Sequence, residues 1–195
     1  MRIGYGFDSH EFKAGVPLKI GGVELRHDKG LAGHSDGDVL LHALTDALLG
    51  AVCAGDIGMH FPPSDPQWKG ADSAVFLAEA LRQVDRAGYS IANIDSTLVM
   101  NAPKIGPHAQ KIREHVAELL KLDASQVSVK AKTPEGLGTE KTAIAHVVVL
   151  LTTRGEDKDR AMHEAEATPQ TEVDAEVEKV LETAKHEKVA LPKRH

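Results

Sequence analysis

The sequence has almost no cysteine: Cys53 is the only one in 195 residues. That excludes an intramolecular disulfide and a thiolate-rich structural zinc site, and it fits a reducing, cytoplasmic setting. Aromatic residues are scarce, at 4%, and no run approaches the ~18–20 apolar residues that a membrane span needs. Residues 1–15 lack the apolar centre of a signal peptide. Positive charge is not in excess either. Lys plus Arg number 23 against 29 Asp plus Glu, a balance that argues against nucleic acid or an anionic membrane as the main partner. What the sequence does have is a 42% hydrophobic share, enough for one sizeable core, and 11 histidines, eight of them before residue 150. Histidine is the usual metal ligand and near-neutral acid/base, so that density points towards a metalloenzyme.

Composition divides the chain near Arg154. Residues 155–195 hold 11 acidic and seven basic side chains and no Phe, Tyr or Trp, a solvated extension by composition. Within it Val173, Val177, Val180, Leu181 and Ala184 recur at helical spacing, so a single amphipathic helix is expected there. Residues 1–154 alternate between strand-like and helix-like stretches and read as one domain. Strands are expected at 1–7, 94–100, 127–132 and 143–152, with a 17–25 hairpin pivoting on Gly21 and Gly22. The last strand is a continuous apolar run and reads as buried. Helices are expected after Ser35 or Asp36 as cap, from Ser73 as cap to about Gly88, and from Pro107 to Leu120. Residues 50–70, rich in Gly, Pro and Asp, read as an ordered loop. The expected fold class is α+β: a two-layer sandwich, a mixed sheet with helices on one face.

Several groups of residues could carry chemistry. Asp8 and His10 stand at i and i+2, so on an extended chain both side chains point to one face. The run Gly33-His34-Ser35-Asp36-Gly37-Asp38 precedes His42 by one helical turn. A Ser35 or Asp36 cap would leave backbone N–H groups free for a phosphate. Asp38 and Asp46 lie four residues to either side of His42, and either could accept the spare N–H of a metal-bound ring. Asp8, His10 and His42 together would leave a zinc ion one open position, as catalytic sites do. A loop at 54–58 carries Asp56. Lys130, Lys132, Thr133 and Glu135 sit among permissive glycines, a grouping that can hold a phosphate and a hard divalent ion through Glu135. Pro103 ends the 94–100 strand region and exposes backbone groups that can read a flat heterocycle edge.

Taken in order, Gly-Phe-Asp-Ser-His at 6–10, His-Ser-Asp-Gly-Asp at 34–38 with His42, Gly-Asp-Ile-Gly at 55–58, Phe61-Pro62, Ala102-Pro103-Lys104, and Thr133 with Glu135 form a specific set. It resembles the 2-C-methyl-D-erythritol 2,4-cyclodiphosphate synthase family of the non-mevalonate isoprenoid pathway, from Met1 to about Thr153. The resemblance implies cyclisation of 4-diphosphocytidyl-2-C-methyl-D-erythritol 2-phosphate with release of CMP, in a homotrimer with active sites at subunit interfaces. It implies zinc on Asp8, His10 and His42, and a magnesium or manganese ion on Glu135. It places His34 and Thr133 as catalytic groups. Substrate contacts fall on Asp8, His10, His34, Ser35, Asp56, Ile57, Gly58, Phe61, Asp65, Met100, Ala102, Pro103, Lys104, Ile105, Gly106, Lys132, Thr133 and Glu135. Two places depart from the family pattern: Pro63 stands where Asp is common, and residues 139–142 replace a longer aromatic- and glycine-rich stretch. Competing readings of the same residues are a metal-dependent phosphoesterase with a zinc-bound water, and a non-enzymatic trimeric binding module.

Overall fold

The computed structural model describes residues 1–154, together with 175, 178 and 179. The amphipathic helix expected within 173–184 lies outside the described residues, apart from helical, exposed Ala175, Glu178 and Lys179. The elements in chain order are β1 (Arg2–Ala14), β2 (Leu18–Ile20), β3 (Val23–Leu25), β4 (Lys29–Leu31), α1 (Val39–Ala51), α2 (Ile57–His60), α3 (Ser73–Arg86), β5 (Tyr89–Val99), α4 (Ala109–Leu120), β6 (Val127–Lys132) and β7 (Thr142–Thr153). Five strands form one mixed sheet in the order β4-β1-β7-β5-β6, while β2 and β3 pair as a separate hairpin. All pairings in the large sheet are antiparallel except β5 with β6. That parallel pair is joined by α4, as a parallel pair needs a crossover. The fold is α+β, as expected from the interleaved pattern.

Helix α1 is the centre of the molecule. Every residue in it is buried except Asp46 and Gly50, and it packs on β1, β7 and α3. It lies against β1 without side chains between the two backbones. A Cβ at Gly4 would stand 1.8 Å from the carbonyl oxygen of Ala47, and one at Gly6 1.8 Å from that of Ala43. The absence of a Cβ at both positions is what permits this close approach. The cap of α1 is Asp38, which accepts from the N–H groups of Leu40 and Leu41, and not Ser35 or Asp36. Asp38 is selected because its carboxylate also receives Gly21 N (2.9 Å) and Gly22 N (2.6 Å) from the hairpin turn. The N-terminus of α1 is therefore closed by a buried carboxylate and is no phosphate seat.

Other boundaries also moved. β1 does not stop at Phe7 but continues to Ala14, because its second half pairs with β7 and with the short β4. α3 is capped by Asp72, so Ser73 is its first residue and not its cap. Residues 106–108 form a 3₁₀ turn before α4 begins at Ala109. The 50–70 loop contains α2 and a second 3₁₀ turn at 66–68. β7 is buried on one side only: Ala143, Ala145, Val147, Val149 and Leu151 face the helices. The opposite face of the sheet carries Ile3, Tyr5, Phe7 and Val148, which are 43–72% exposed. Its apolar run is long enough for two covered faces, and one chain covers one. Among the described residues no helix is long and apolar enough to cross a membrane.

Candidate active site

Asp8 and His10 sit on one face of β1, paired across the ladder with Ala145 and Ala143. The small alanines leave that face open for His42, which α1 brings over the strand. Asp8 Oδ2 lies 2.8 Å from His10 Nε2 and 3.0 Å from His42 Nδ1, and the two nitrogens are 3.0 Å apart. Among the described residues this is the group of His, Cys, Asp or Glu side chains that converges as a metal site would require. Donors at ~2.0–2.1 Å around a tetrahedral zinc ion stand about 3.3 Å from each other. The cluster matches that spacing after an outward shift of a few tenths of an ångström. One carboxylate oxygen and two imidazoles suit a borderline metal, and three protein donors leave one position open.

Without a metal the cluster is a strong ion pair. Burial pulls the Asp8 carboxyl upward, but hydrogen bonds with His10 and His42 overcome it and hold it well below the usual range. Burial disfavours the His42 imidazolium, yet the hydrogen bond and charge of Asp8 outweigh it and raise its pKa, with Asp38 and Asp36 adding to the effect. A depressed Asp8 contributes stability above its unfolded value near ~3.9, lost as pH falls through the folded value; a raised His42 contributes fully below ~6.5, lost as pH rises through its folded value. In chelator, the melting-temperature advantage of the native chain over Asp8→Asn should therefore be greatest between about pH 4 and 6.5 and shrink towards pH 8. A difference that grows with pH would contradict this pairing.

The second nitrogen of His42 does not meet Asp38 or Asp46. Asp38 is fully engaged as the cap of α1, and Asp46 accepts from Ile57 N at 2.8 Å, tying the 50–70 loop to the helix. Burial, with the charges of Asp56 and Asp8, raises the Asp46 pKa against that backbone bond. His42 Nε2 faces two hydroxyls instead: Ser35 Oγ at 2.9 Å and Ser73 Oγ at 2.8 Å. Ser73 was absent from the residues singled out for chemistry. It reads locally as a helix start, and only the packing of α3 against α1 brings it to the ring.

The remaining residues fall into three places. His34 is exposed, and its carbonyl accepts from Gly70 N at 2.7 Å. Asp56 caps α2 through Met59 N, so that Ile57 and Gly58 form its first turn. The Phe61 ring is buried against Phe76, at 4.5 Å between centroids, and Asp65 caps the 66–68 turn. The third place is a groove of ≈ 600 Å³ between the ends of β5 and β6, lined by Met100, Lys104, Ile105, Gly106, Lys132, Thr133 and Glu135 together with Pro107 and Ala131. Thr133 Oγ1 donates to a Glu135 carboxylate oxygen. Glu135 has a φ of 50°, a left-handed conformation next to Gly136. Ala102 and the cis bond to Pro103 follow β5 just outside, Ala102 lining a smaller hollow beside Lys141. Within one chain, the groove and the Asp8–His10–His42 cluster share no lining residue.

A family profile described as the YgbB family matches residues 1–152. The chain is 65% identical over 154 residues to the 2-C-methyl-D-erythritol 2,4-cyclodiphosphate synthase of Koribacter versatilis (strain Ellin345), covering 79% of this chain and 99% of that protein. It is 53% identical over 153 residues to the chloroplastic synthase of Arabidopsis thaliana, covering 77% of this chain and 66% of that one. A solved structure of a 2C-methyl-D-erythritol-2,4-cyclodiphosphate synthase in a CDP-bound form is similar with a TM-score of 0.73 at 42% identity, over 77% of this chain and all of the other.

Proposed function

The chain belongs to the YgbB family, and on that footing we propose that it converts 4-diphosphocytidyl-2-C-methyl-D-erythritol 2-phosphate into 2-C-methyl-D-erythritol 2,4-cyclodiphosphate and CMP, a step of isoprenoid precursor synthesis. Residues 1–154 are the catalytic domain, and 155–195 are an extension to it. A bond forms between a 2-phosphate oxygen and the β-phosphorus, the bridging bond to the α-phosphate breaks, and CMP departs with the electron pair. No water is consumed and no covalent enzyme intermediate is needed. The observation that carries the reading is the three-donor cluster of Asp8, His10 and His42, in a chain 65% identical to a named synthase.

Two mutually repelling phosphates must be folded onto each other, so positioning and charge stabilisation supply the rate. When bound, zinc on Asp8, His10 and His42 and a magnesium or manganese ion on Glu135 supply Lewis-acid charge to the diphosphate. Lys132 and the Thr133 hydroxyl meet phosphate oxygens, with His34 and Thr133 placed where charge develops in the transition state. Lys104, with the backbone of Met100, Ala102, Pro103, Ile105 and Gly106, holds the cytosine end. Asp56, Ile57 and Gly58 border the methylerythritol, with Phe61 and Asp65 supporting that loop; Ser35 adds a hydroxyl beside the metal ligands. The partner molecule is thus a small cytidine diphosphate-linked substrate, not a nucleic acid or a membrane, in a cytoplasmic setting. The assembly is a homotrimer with each active site shared between subunits. Two features support sharing: the uncovered apolar face of the sheet, and the separate lining of groove and metal cluster within one chain.

Purified protein given the cytidyl substrate should release CMP and the cyclic product in equal amounts, read by chromatography. His42→Ala should lose both its zinc, about one ion per chain, and its turnover. If that variant keeps both, the assignment fails. Release of inorganic phosphate or an open-chain product would instead establish a phosphoesterase.

A further inference from the structure

A neutral imidazole carries one N–H, and its other nitrogen can bind a metal only if that proton is kept away from it. His42 turns Nδ1 towards Asp8 and His10, so with a metal bound there its one proton belongs on Nε2. Both hydroxyls at Nε2 are close enough to accept it. They differ in what stands behind them. Ser73 is fully buried, and its Oγ donates to Asp36 Oδ1. An ionised carboxylate only accepts, so the Ser73 proton is committed to Asp36 and its lone pair is left for His42 Nε2–H. Among the described residues the hydroxyl of Ser35 meets His42 Nε2 and makes no hydrogen bond to a carboxylate.

Asp36 is itself held from several sides. Its Oδ2 receives Ser73 N at 3.3 Å and Lys19 Nζ at 3.3 Å, and its Oδ1 receives Asp38 N at 3.3 Å. Lys19 also reaches Asp72 Oδ2 at 3.2 Å, the carboxylate that caps α3. The β2 strand, the 34–38 turn and the start of α3 are therefore fastened together behind the metal ligand. Resting on the zinc-dependent reading above, we infer that Ser73 and Asp36 are positioning residues. The series His42 Nε2–H to Ser73 Oγ–H to Asp36, anchored by Lys19, fixes the proton on the far nitrogen of His42 and aims Nδ1 at the metal. The same series releases Ser35: its hydroxyl proton is free for an anionic oxygen of the substrate.

The test is zinc affinity, measured by competition with a chromophoric chelator, and the melting temperature of the metal-free protein. Ser73→Ala should weaken zinc binding about 10–100-fold, while Ser73→Thr, which keeps the hydroxyl, should stay within about threefold of the native chain. Asp36→Asn alone should weaken zinc, yet added to Ser73→Ala it should cost no more than about twofold further, because Asp36 acts through the hydroxyl. Native affinity in Ser73→Ala, or fully additive losses in the double variant, would overturn the proposal. So would a zinc defect in Ser73→Ala that merely tracks a lowered metal-free melting temperature and is equally present in Ser73→Thr. If neither Ser73 variant folds, Asp36→Asn decides alone: native zinc affinity there overturns the relay. Zinc is titrated without substrate, so a failure of the proposed activity shows separately, as native protein that binds zinc and releases no CMP.

Discussion

Glu135→Gln should release CMP about 10²–10³-fold more slowly than the native chain, the rate equivalent of several kcal/mol of lost ion-assisted charge stabilisation, while retaining its zinc. The substitution keeps shape and the acceptor that Thr133 donates to, but replaces an anionic oxygen donor with a neutral amide that a hard divalent ion binds poorly. Zinc content should stay at the native level because the groove shares no residue with Asp8, His10 and His42. Excess magnesium should restore only part of the rate. A variant that loses zinc and keeps its magnesium dependence would place the two ions the other way round.

The same variant tests whether a site is shared between subunits. His42→Ala lacks the metal cluster and keeps the groove; Glu135→Gln keeps the cluster and lacks the groove carboxylate. Each alone should keep no more than about 1% of the native turnover. Co-expressed in equal amounts in a ring of three, about one site in four would combine an intact cluster from one chain with an intact groove from its neighbour. Recovery near that level is expected, and no recovery would put the complete site within one chain.

Gly6→Ala should destabilise the protein by ~3 kcal/mol and abolish zinc binding in whatever fraction folds. The new Cβ would stand 1.8 Å from Ala43 O and 2.7 Å from Ala47 N, and these are backbone atoms with no rotamer to change. Ordinary contact starts at 3.4 Å, so α1 must lift from β1 by more than an ångström. Ala43 is the neighbour of His42, and Gly6 lies two residues before Asp8; lifting one element from the other opens the cluster itself. Gly50→Ala is the matched control. Its Cβ would meet nothing within 4 Å, and in a helix it should be neutral or stabilising by up to ~1 kcal/mol. Native-like melting of Gly6→Ala would refute the packing.

Local pattern was enough to read Asp8 with His10, since alternation along a strand places i and i+2 together whatever the strand packs on. It was enough to place His42 on a helix. It was not enough to choose the cap of that helix, because Ser35, Asp36 and Asp38 are all good caps and the decision came from Gly21 and Gly22, 17 and 16 residues from Asp38. The partner of His42 Nε2 was hidden for the same reason: Ser73 is 31 residues away, and nothing in its neighbourhood hints at a histidine. β4 was missed because three residues that pair only with the extension of β1 carry no period of their own. The apolar run of β7 reads simply as buried, whereas the chain covers one of its faces, since hydrophobicity records that a face wants cover, not which chain provides it.

The near-complete burial of α1 has a kinetic side. Amide protons in a helix enclosed on almost every flank exchange with solvent only when the whole domain opens. His42 therefore keeps its place in every partial opening of the 50–70 loop or the sheet edges. The 135–138 stretch is the reverse case, exposed throughout, with Leu137 bare at 81% and positive φ at Glu135, Gly136 and Gly138. Few contacts are lost when it opens, so it belongs to the low end of the local stability range. The three-donor cluster and the groove thus live on different clocks. Asp8, His10 and His42 are brought together once, when the chain folds, whereas the stretch bordering the groove can rearrange while the domain stays folded.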